Sequence, residues 1–332
     1  MSASQRLTPP KISRRFSVAP MMDWTDRFCR HFHRLLSKET LLYTEMVTTG
    51  ALIHGDSHRH LYYDESQHPI ALQLGGSDPK DLATSARLAS SYSYDEINLN
   101  CGCPSDRVQS GKFGAILMTD AKLVADCFSA MQETTDTPVT IKQRIGIDDQ
   151  DSYQFLCDFT GTVANAGCQT FIVHARKAWL NGLSPKQNRE IPPLDYERVY
   201  QLKRDFPELE IIINGGIKTL DDTMGHLDHV DGVMIGREAY HNPYLLADVD
   251  RTLYHSEKSP PSRLQVLEQF SEFVGNEIDT GIKLSHMTRH ILGLYQGVPG
   301  ARKFRRYISE HAHLPNAGTD VLHRALGCMS NR

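Results

Sequence analysis

Cys103 lies in the segment Asn98-Leu-Asn-Cys-Gly-Cys-Pro-Ser-Asp-Arg107, which follows the apolar run Glu96–Leu99 and continues to Gly111-Lys-Phe-Gly-Ala115. Glycine and proline bound this loop, so the thiol is expected to project from it and not to pack in a core. An ordinary thiol, with a pKa of about 8.5, is mostly protonated at neutral pH and can donate a proton to a carbanion. Beside a base it could instead act as a nucleophile. Cys29, Cys127, Cys157, Cys168 and Cys328 are expected to be buried small hydrophobes. Cys101 is two residues from Cys103, a spacing that strains a disulfide, and it is assigned a structural role.

Lys142 ends another β-rich run, Val139–Lys142. A lysine there could form a Schiff base, pair with a substrate anion, or place its charge where negative charge develops on a reduced flavin. Asn214-Gly215-Gly216 and Gly236-Arg237 end two later runs. Glycines let backbone N–H groups approach a phosphate closely, and an arginine adds a fork of donors. His54, His58 and His60 are close in sequence, but the chemistry needs no metal, so they are expected on a surface loop and no metal site is expected.

These residues need elements to hold them. Eight short apolar runs, Phe16–Ala19, Leu41–Thr44, Ile70–Leu74, Glu96–Leu99, Val139–Lys142, Thr170–His174, Ile211–Asn214 and Gly232–Ile235, alternate with helix-like stretches. These stretches include Asp26–Leu36, Pro79–Ser91, Ala121–Thr134, Tyr153–Ala166, Leu194–Lys203 and Thr219–Leu227. Strand and helix alternating in this way predict parallel βαβ units, and eight of them predict a (β/α)8 TIM barrel, an α/β fold of about 250 residues. An open doubly wound sheet is disfavoured, because no GxGxxG opens the first helix. Nearly every run ends in a side chain or glycine suited to chemistry, and in a barrel those ends share one face. A barrel over residues 1–250 and a small all-helical domain over 262–332 are expected, joined by the linker His255–Pro261. The helices of the second domain are expected at Arg263–Val274, Lys283–Tyr295, Ala301–His311 and Asp320–Met329.

The 332 residues carry 36 Lys+Arg and 40 Asp+Glu, with 40% hydrophobic and 23% charged residues, the composition of a globular chain. No apolar run approaches the roughly 20 residues of a membrane helix, and the polar N-terminus lacks the apolar core of a secretory signal. Seven cysteines without a CxxC pair argue against a disulfide framework or a zinc ribbon, and a cytoplasmic setting is expected. The net charge of -4 hides an asymmetry: residues 255–332 carry ten Lys+Arg and seven Asp+Glu, a balance of +3 against -7 for the rest. From Gly281 to Arg306 there are six basic residues and no acidic one. On a helix Arg302, Arg305 and Arg306 share a face, while His286, Arg289 and His290 form a second basic group.

SVAPMMDWTDR (17–27), ALQLGG (71–76), INLNCGCPSDRV (97–108), IKQRIG (141–146), IVHAR (172–176), INGGI (213–217) and MIGREAY (234–240) together resemble the tRNA-dihydrouridine synthase family. The segment AWLNGLSPKQNREIPPLDY (178–196) resembles its A-type bacterial subfamily. The resemblance implies FMN at the barrel mouth, NADPH as reductant and uridine in the tRNA D-loop, at positions 20 and 20a, as substrate. It implies that Pro20, Met21 and Met22 cover the isoalloxazine and that Gln73, Lys142 and His174 contact the cofactor. Asn214, Gly215, Gly216, Gly236 and Arg237 would hold its phosphate, and Cys103 would be the general acid. Asn100, Lys186, Arg189 and a basic position within Arg302, Lys303, Arg305 and Arg306 would meet tRNA. A uridine must leave its stack to enter such a pocket, so phosphate contacts elsewhere must offset the cost of extrusion. The basic helical domain is the expected source. A monomer without DNA or membrane partners is expected. Two competing readings are another FMN barrel enzyme acting on a free pyrimidine, which leaves the basic tail unexplained, and a non-catalytic RNA-binding protein on a barrel scaffold.

Overall fold

The computed structural model describes residues 12–105 and 111–330. The Asp106–Val108 end of the INLNCGCPSDRV segment lies outside the described residues. Eight parallel strands close into a barrel in sequence order: β1 Phe16–Val18, β2 Leu41–Thr48, β3 Ile70–Gly75, β4 Glu96–Cys101, β5 Val139–Arg144, β6 Thr170–His174, β7 Glu210–Asn214 and β8 Gly232–Ile235. The helices between them start where the sequence supplies caps. Asp78 caps the helix opened by Pro79, Asp120 and Ser152 cap the next two, and Thr219 with Asp222 forms a capping box.

Successive strand residues face opposite ways, and this alternation sorts the chain into two cores. Ile97, Leu99 and Cys101 of β4 pack outward against the helices, together with Ile141, Phe171, Val173, Ile211 and Ile213. Leu41, Tyr43, Ala71, Ile172, Ile212 and Met234 form a separate cluster that also takes in Ala19. The intervening residues of β3 to β5 that alternate with the outward set are polar: Gln73, Glu96, Asn98 and Thr140, all essentially inaccessible. At the N-terminal end of the strands Arg14 closes this polar side, with Nε 2.5 Å from Glu96 Oε2 and Nη1 2.9 Å from Glu210 Oε2. Removing either partner of the buried Arg14–Glu96 pair would strand the other in the core, at a cost of about 3–5 kcal/mol.

After β8 the chain forms helix Val249–Tyr254, four residues beyond the expected barrel boundary, then crosses 255–262 to helices Arg263–Asp279, Leu284–Thr288, Ala301–His311 and Asp320–Ser330. The expected helix over Lys283–Tyr295 is therefore corrected to one short helix followed by turns. Gly293 explains the interruption: a Cβ there would sit 2.5 Å from the His241 carbonyl oxygen, so the backbone itself packs on the barrel. The helical region docks on barrel helix Arg27–Leu36. Arg27 pairs with Glu277 through two bonds of 2.6 and 2.7 Å, His31 stacks on Phe273 and Phe32 meets Phe270 edge-on. No described helix is long and apolar enough to cross a membrane.

Two expectations about single residues are corrected. His54, His58 and His60 sit on short helices, Thr49–His54 and Ser57–Leu61, not on a loop, and His58 Nδ1 lies 3.0 Å from the Tyr92 hydroxyl. Cys157 and Cys328 are partly exposed, whereas Cys29, Cys101, Cys127 and Cys168 are buried.

Candidate active site

Parallel register sets the floor of the barrel mouth. Gln73, Asn98 and Thr140 are register partners across β3, β4 and β5, and one step further along Asn100 partners Lys142. Gln73 Nε2 donates to Asn98 Oδ1 at 2.8 Å, and Asn100 Nδ2 donates to Gln73 Oε1 at 2.9 Å. Asn100 Oδ1 accepts from the backbone N–H of Gly102 at 3.1 Å and of Cys103 at 2.9 Å, so this buried amide shapes the loop that carries the thiol. Cys103 is half-buried, with Sγ 3.6 Å from Ser105 Oγ, and its carbonyl accepts from Ala115 N at 2.9 Å.

Lys142 Nζ donates to Asn214 Oδ1 at 3.2 Å, linking β5 to β7 across the mouth. Burial, reinforced by the nearby Arg144 guanidinium, pulls the Lys142 ammonium down to about 7. His174 follows the same logic. Burial and then Arg144, Lys142, Arg176 and Arg189 hold its imidazole well below the ordinary histidine range. Lys142, Arg144, Arg176 and Arg189 thus gather around His174. Among the described residues Glu190 is a counterion here, with Oε1 2.7 Å from Arg237 Nη1.

The glycine turn after β7 is a cradle that a side chain would fill. Gly215 has φ +121° and Gly216 φ +73°, both in the region that favours glycine. A Cβ on Gly215 would lie 2.6 Å from His174 Cδ2, and one on Gly216 2.6 Å from Leu194 Cδ1. The Tyr196 hydroxyl holds the Gly215 carbonyl at 2.7 Å. Gly236 precedes Arg237 at the end of β8, beside Met21 and Ala19. Pro20 and Met21 are half-buried and Met22 is 55% exposed, so this segment presents apolar surface at the mouth.

Arg144 was not singled out from the sequence. It is buried, donates from Nε to the Gly102 carbonyl at 2.8 Å, and from Nη1 to the Lys177 and Asn188 carbonyls at 3.0 and 3.2 Å. It ties the thiol loop to the long connection after β6. The signal was available: the alternation that turns Lys142 toward the barrel axis turns Arg144 the same way, one step nearer the mouth. The 178–196 segment is held by Asn188, which bonds Trp179 at both N and O, and by Arg176, which donates to Pro192 O. It leaves Lys186 and Arg189 exposed.

The structure places the remaining basic residues away from these side chains. Arg302, Lys303 and Arg306 are exposed and Arg305 half-buried on helix Ala301–His311, whose Ala301, Phe304 and Ile308 face the core. The grouping of His286, Arg289 and His290 is corrected. His290 is buried against Asp26 at 3.0 Å, and Arg289 pairs with the same carboxylate at 2.6 Å. A cavity of about 280 Å³ lies between the barrel and the helical region, lined by Tyr240, His241, Arg289, Leu292, Gly293, Gln296 and Arg305. A larger one, about 620 Å³, opens at the N-terminal end of the strands around Arg14 and Glu210, at the opposite end of the barrel from Cys103 and the Gly215–Gly216 turn. Among the described residues no three His, Cys, Asp or Glu side chains are placed to hold a metal ion.

Comparison with known proteins agrees with this architecture. The chain is 61% identical over 313 residues to the tRNA-dihydrouridine(20/20a) synthase of Vibrio vulnificus (strain CMCP6), covering 94% of this chain and 96% of that protein. It is 60% identical over 332 residues to the protein of the same name from Escherichia coli (strain K12), covering 100% and 96%. Morphinone reductase, at 12% identity and a TM-score of 0.52 over 76% of this chain and 88% of its own, shares the fold. The family model described as Dihydrouridine synthase matches residues 17–326. From Ser17 to Leu326, then, the chain belongs to the dihydrouridine synthase family, and with it to the oxidoreductases.

Proposed function

We propose that the protein reduces uridine to 5,6-dihydrouridine in the D-loop of tRNA, at positions 20 and 20a, using FMN that NADPH re-reduces. The observation that carries this reading is the cationic mouth. Lys142, Arg144, Arg176, Arg189 and Arg237 converge there in a chain of net charge -4, with Glu190 as near counterion. Such a site suits a phosphate and a ring system that gains negative charge.

The donor set fits the cofactor. Asn214, Gly215, Gly216, Gly236 and Arg237 would hold its phosphate, in the cradle that a Cβ would fill. Gln73, Lys142 and His174 would contact the ring system and chain, and Pro20, Met21 and Met22 would cover the ring. When bound and reduced, a flavin supplies the hydride equivalent for C6 of the uracil. Cys103 supplies the matching proton from Sγ to C5. Asn100 and Arg144 keep its loop in place from below and from the side. A neutral His174 can donate or accept without adding charge to an already cationic site.

An extruded base must be held while the rest of the RNA stays docked. Asn100, Lys186 and Arg189 at the mouth, with Arg302, Lys303, Arg305 and Arg306 on the helical region, are the proposed tRNA contacts. Cytoplasmic location, a monomeric state and absence of DNA or membrane partners complete the proposal. A barrel at residues 1–250 carries the chemistry and a helical domain at 262–332 carries docking.

Cys103→Ala tests the assignment. Dihydrouridine formation in tRNA should fall at least about 100-fold, as loss of a general acid predicts, while flavin content and NADPH-driven bleaching persist. Loss of flavin would make Cys103 structural instead. Free uridine reduced as efficiently as tRNA would favour a free-pyrimidine enzyme.

A further inference from the structure

The polar side of the barrel interior contains one continuous file of hydrogen bonds from a buried carboxylate to the thiol loop. Glu96 is fully buried on β4. Its Oε1 accepts from the Tyr43 hydroxyl at 2.5 Å and from Thr140 Oγ1 at 2.6 Å, and its Oε2 accepts from Arg14. Thr140 Oγ1 in turn accepts from Asn98 Nδ2 at 2.8 Å. Asn98 Oδ1 accepts from Gln73, Gln73 Oε1 from Asn100, and Asn100 Oδ1 from the N–H groups of Gly102 and Cys103.

Each link has only one hydrogen-bonding solution. The carboxylate paired with Arg14 only accepts, so the single Thr140 proton goes to it, and Thr140 is left with lone pairs. Asn98 must then present its amino group to Thr140 and its carbonyl to Gln73. The same choice is forced on Gln73 and then on Asn100, because each amide has one carbonyl and one amino end. At the far end the backbone N–H groups only donate, so they demand a carbonyl from Asn100. Both ends therefore require the same polarity, and bonds in such a file polarise one another in the same sense. Without Thr140, the Asn98 amino group loses its buried acceptor and the file its anchor on the carboxylate, so Asn98, Gln73 and Asn100 are held from the loop end alone and can shift together with the turn.

We propose that Glu96 and Thr140 are positioning residues for the thiol: by anchoring the buried end of the Asn98, Gln73 and Asn100 file, in the one donor–acceptor order that both ends accept, they hold the Gly102–Cys103 turn in its reactive shape. This rests on the proposal that Cys103 donates the proton. Neither Glu96 nor Thr140 touches the reacting atoms; both act through the three amides.

Thr140→Val keeps the shape of the side chain and removes the link, whereas Thr140→Ser keeps the hydroxyl. In the holoenzyme, the single-turnover rate at which an unmodified tRNA transcript oxidises the pre-reduced flavin should fall about 10- to 100-fold in Thr140→Val, the scale of a misplaced reacting group. Flavin content and tRNA Kd should stay within about twofold, and Thr140→Ser should return to within about threefold of the parent rate. A Thr140→Val rate within about twofold of the parent, or a folded Thr140→Ser as slow as Thr140→Val, overturns the proposal. The Cys103→Ala variant in the same assay separates the two ideas. If it oxidises at the parent rate, the proton-donor assignment falls; if it is inert while Thr140→Val is unaffected, only the positioning role falls. Should Thr140→Val fail to fold, a neutron structure of the unaltered protein decides by locating the deuterons. Amino groups on Asn98, Gln73 and Asn100 in the stated order support the proposal, and any one of them reversed overturns it.

Discussion

The barrel mouth and the helical region solve the same problem, placing charged and polar groups for a partner, by opposite means. At the mouth the buried polar side chains are pinned: Asn100 and Gln73 by the amide file, Lys142 by Asn214, Arg144 by three carbonyls. On helix Ala301–His311 the basic residues lie on exposed or half-buried positions, and the contacts of Arg305 and Arg306 are with side chains nearby in sequence, Arg305 to Gln296 at 3.1 Å and Arg306 to Glu310 at 2.7 Å. Exposed pairs of this kind are weak and readily exchanged for others. Chemistry on a single base needs sub-ångström placement, whereas a polyanion is held by charge that tolerates rearrangement. Substitutions should therefore act steeply at the mouth and gradually on the helix.

The largest effect is expected from Gly215→Ala. The residue has φ +121°, and an added methyl would meet His174 at 2.6 Å, so both backbone strain and a clash disturb the β7 turn. Flavin content should drop at least about 100-fold in affinity, as for misplaced binding groups, while tRNA Kd in a gel-shift assay changes little. Equal loss of both would mean that mouth and helix are one cooperative surface, and the contrast would collapse.

An intermediate effect is expected from removing Arg302, Arg305 and Arg306 together. Flavin content and its reduction by NADPH should be unchanged. Affinity for tRNA should fall, and the slope of log K against log salt should become shallower by up to about 3, one for each lost phosphate contact. An unchanged slope would remove this helix from the RNA footprint. The single arginines, tested separately, should each shift the slope by no more than about 1.

The contrast also explains which parts were legible in the sequence. Each of the eight strands was visible as an apolar run because a barrel strand is buried on both sides, and the observed strands contain or nearly contain all eight runs. Strand ends marked the site because alternation gives each terminal residue a direction. Thr140 and Glu96 were not singled out, since an isolated threonine or glutamate in a strand carries no motif; their role exists only through register between β3, β4 and β5. The segment after Lys283 read as a helix because its apolar spacing is helical, and the close approach of Gly293 to His241 that interrupts it is a tertiary fact. His290 read as part of a basic surface group for a similar reason. Nothing local to it indicates that Asp26, 264 residues earlier, covers it.

Asp26 joins the two regions, and its substitution should have the smallest and most specific effect. The carboxylate caps helix Arg27–Leu36 through the N–H groups of Phe28 and Cys29, and its other oxygen meets Arg289 and His290. Burial alone would raise its pKa, but the bonds from His290, Cys29 and Arg289 hold it at about 2, against an ordinary 3.8. A depressed carboxylate stabilises the fold above its unfolded pKa and loses that contribution as pH falls through the folded value, here from about 4 toward 2. Asp26→Asn retains a capping oxygen and removes the charge, so at pH 7 it should cost about 2 kcal/mol in urea unfolding. The gap to the parent should narrow between about pH 4 and 2, and flavin content should stay unchanged. A gap that does not vary with pH would assign the joint to packing around Phe273 and Phe270 instead of to the ion pair, and the two regions would then be coupled through their apolar contact alone.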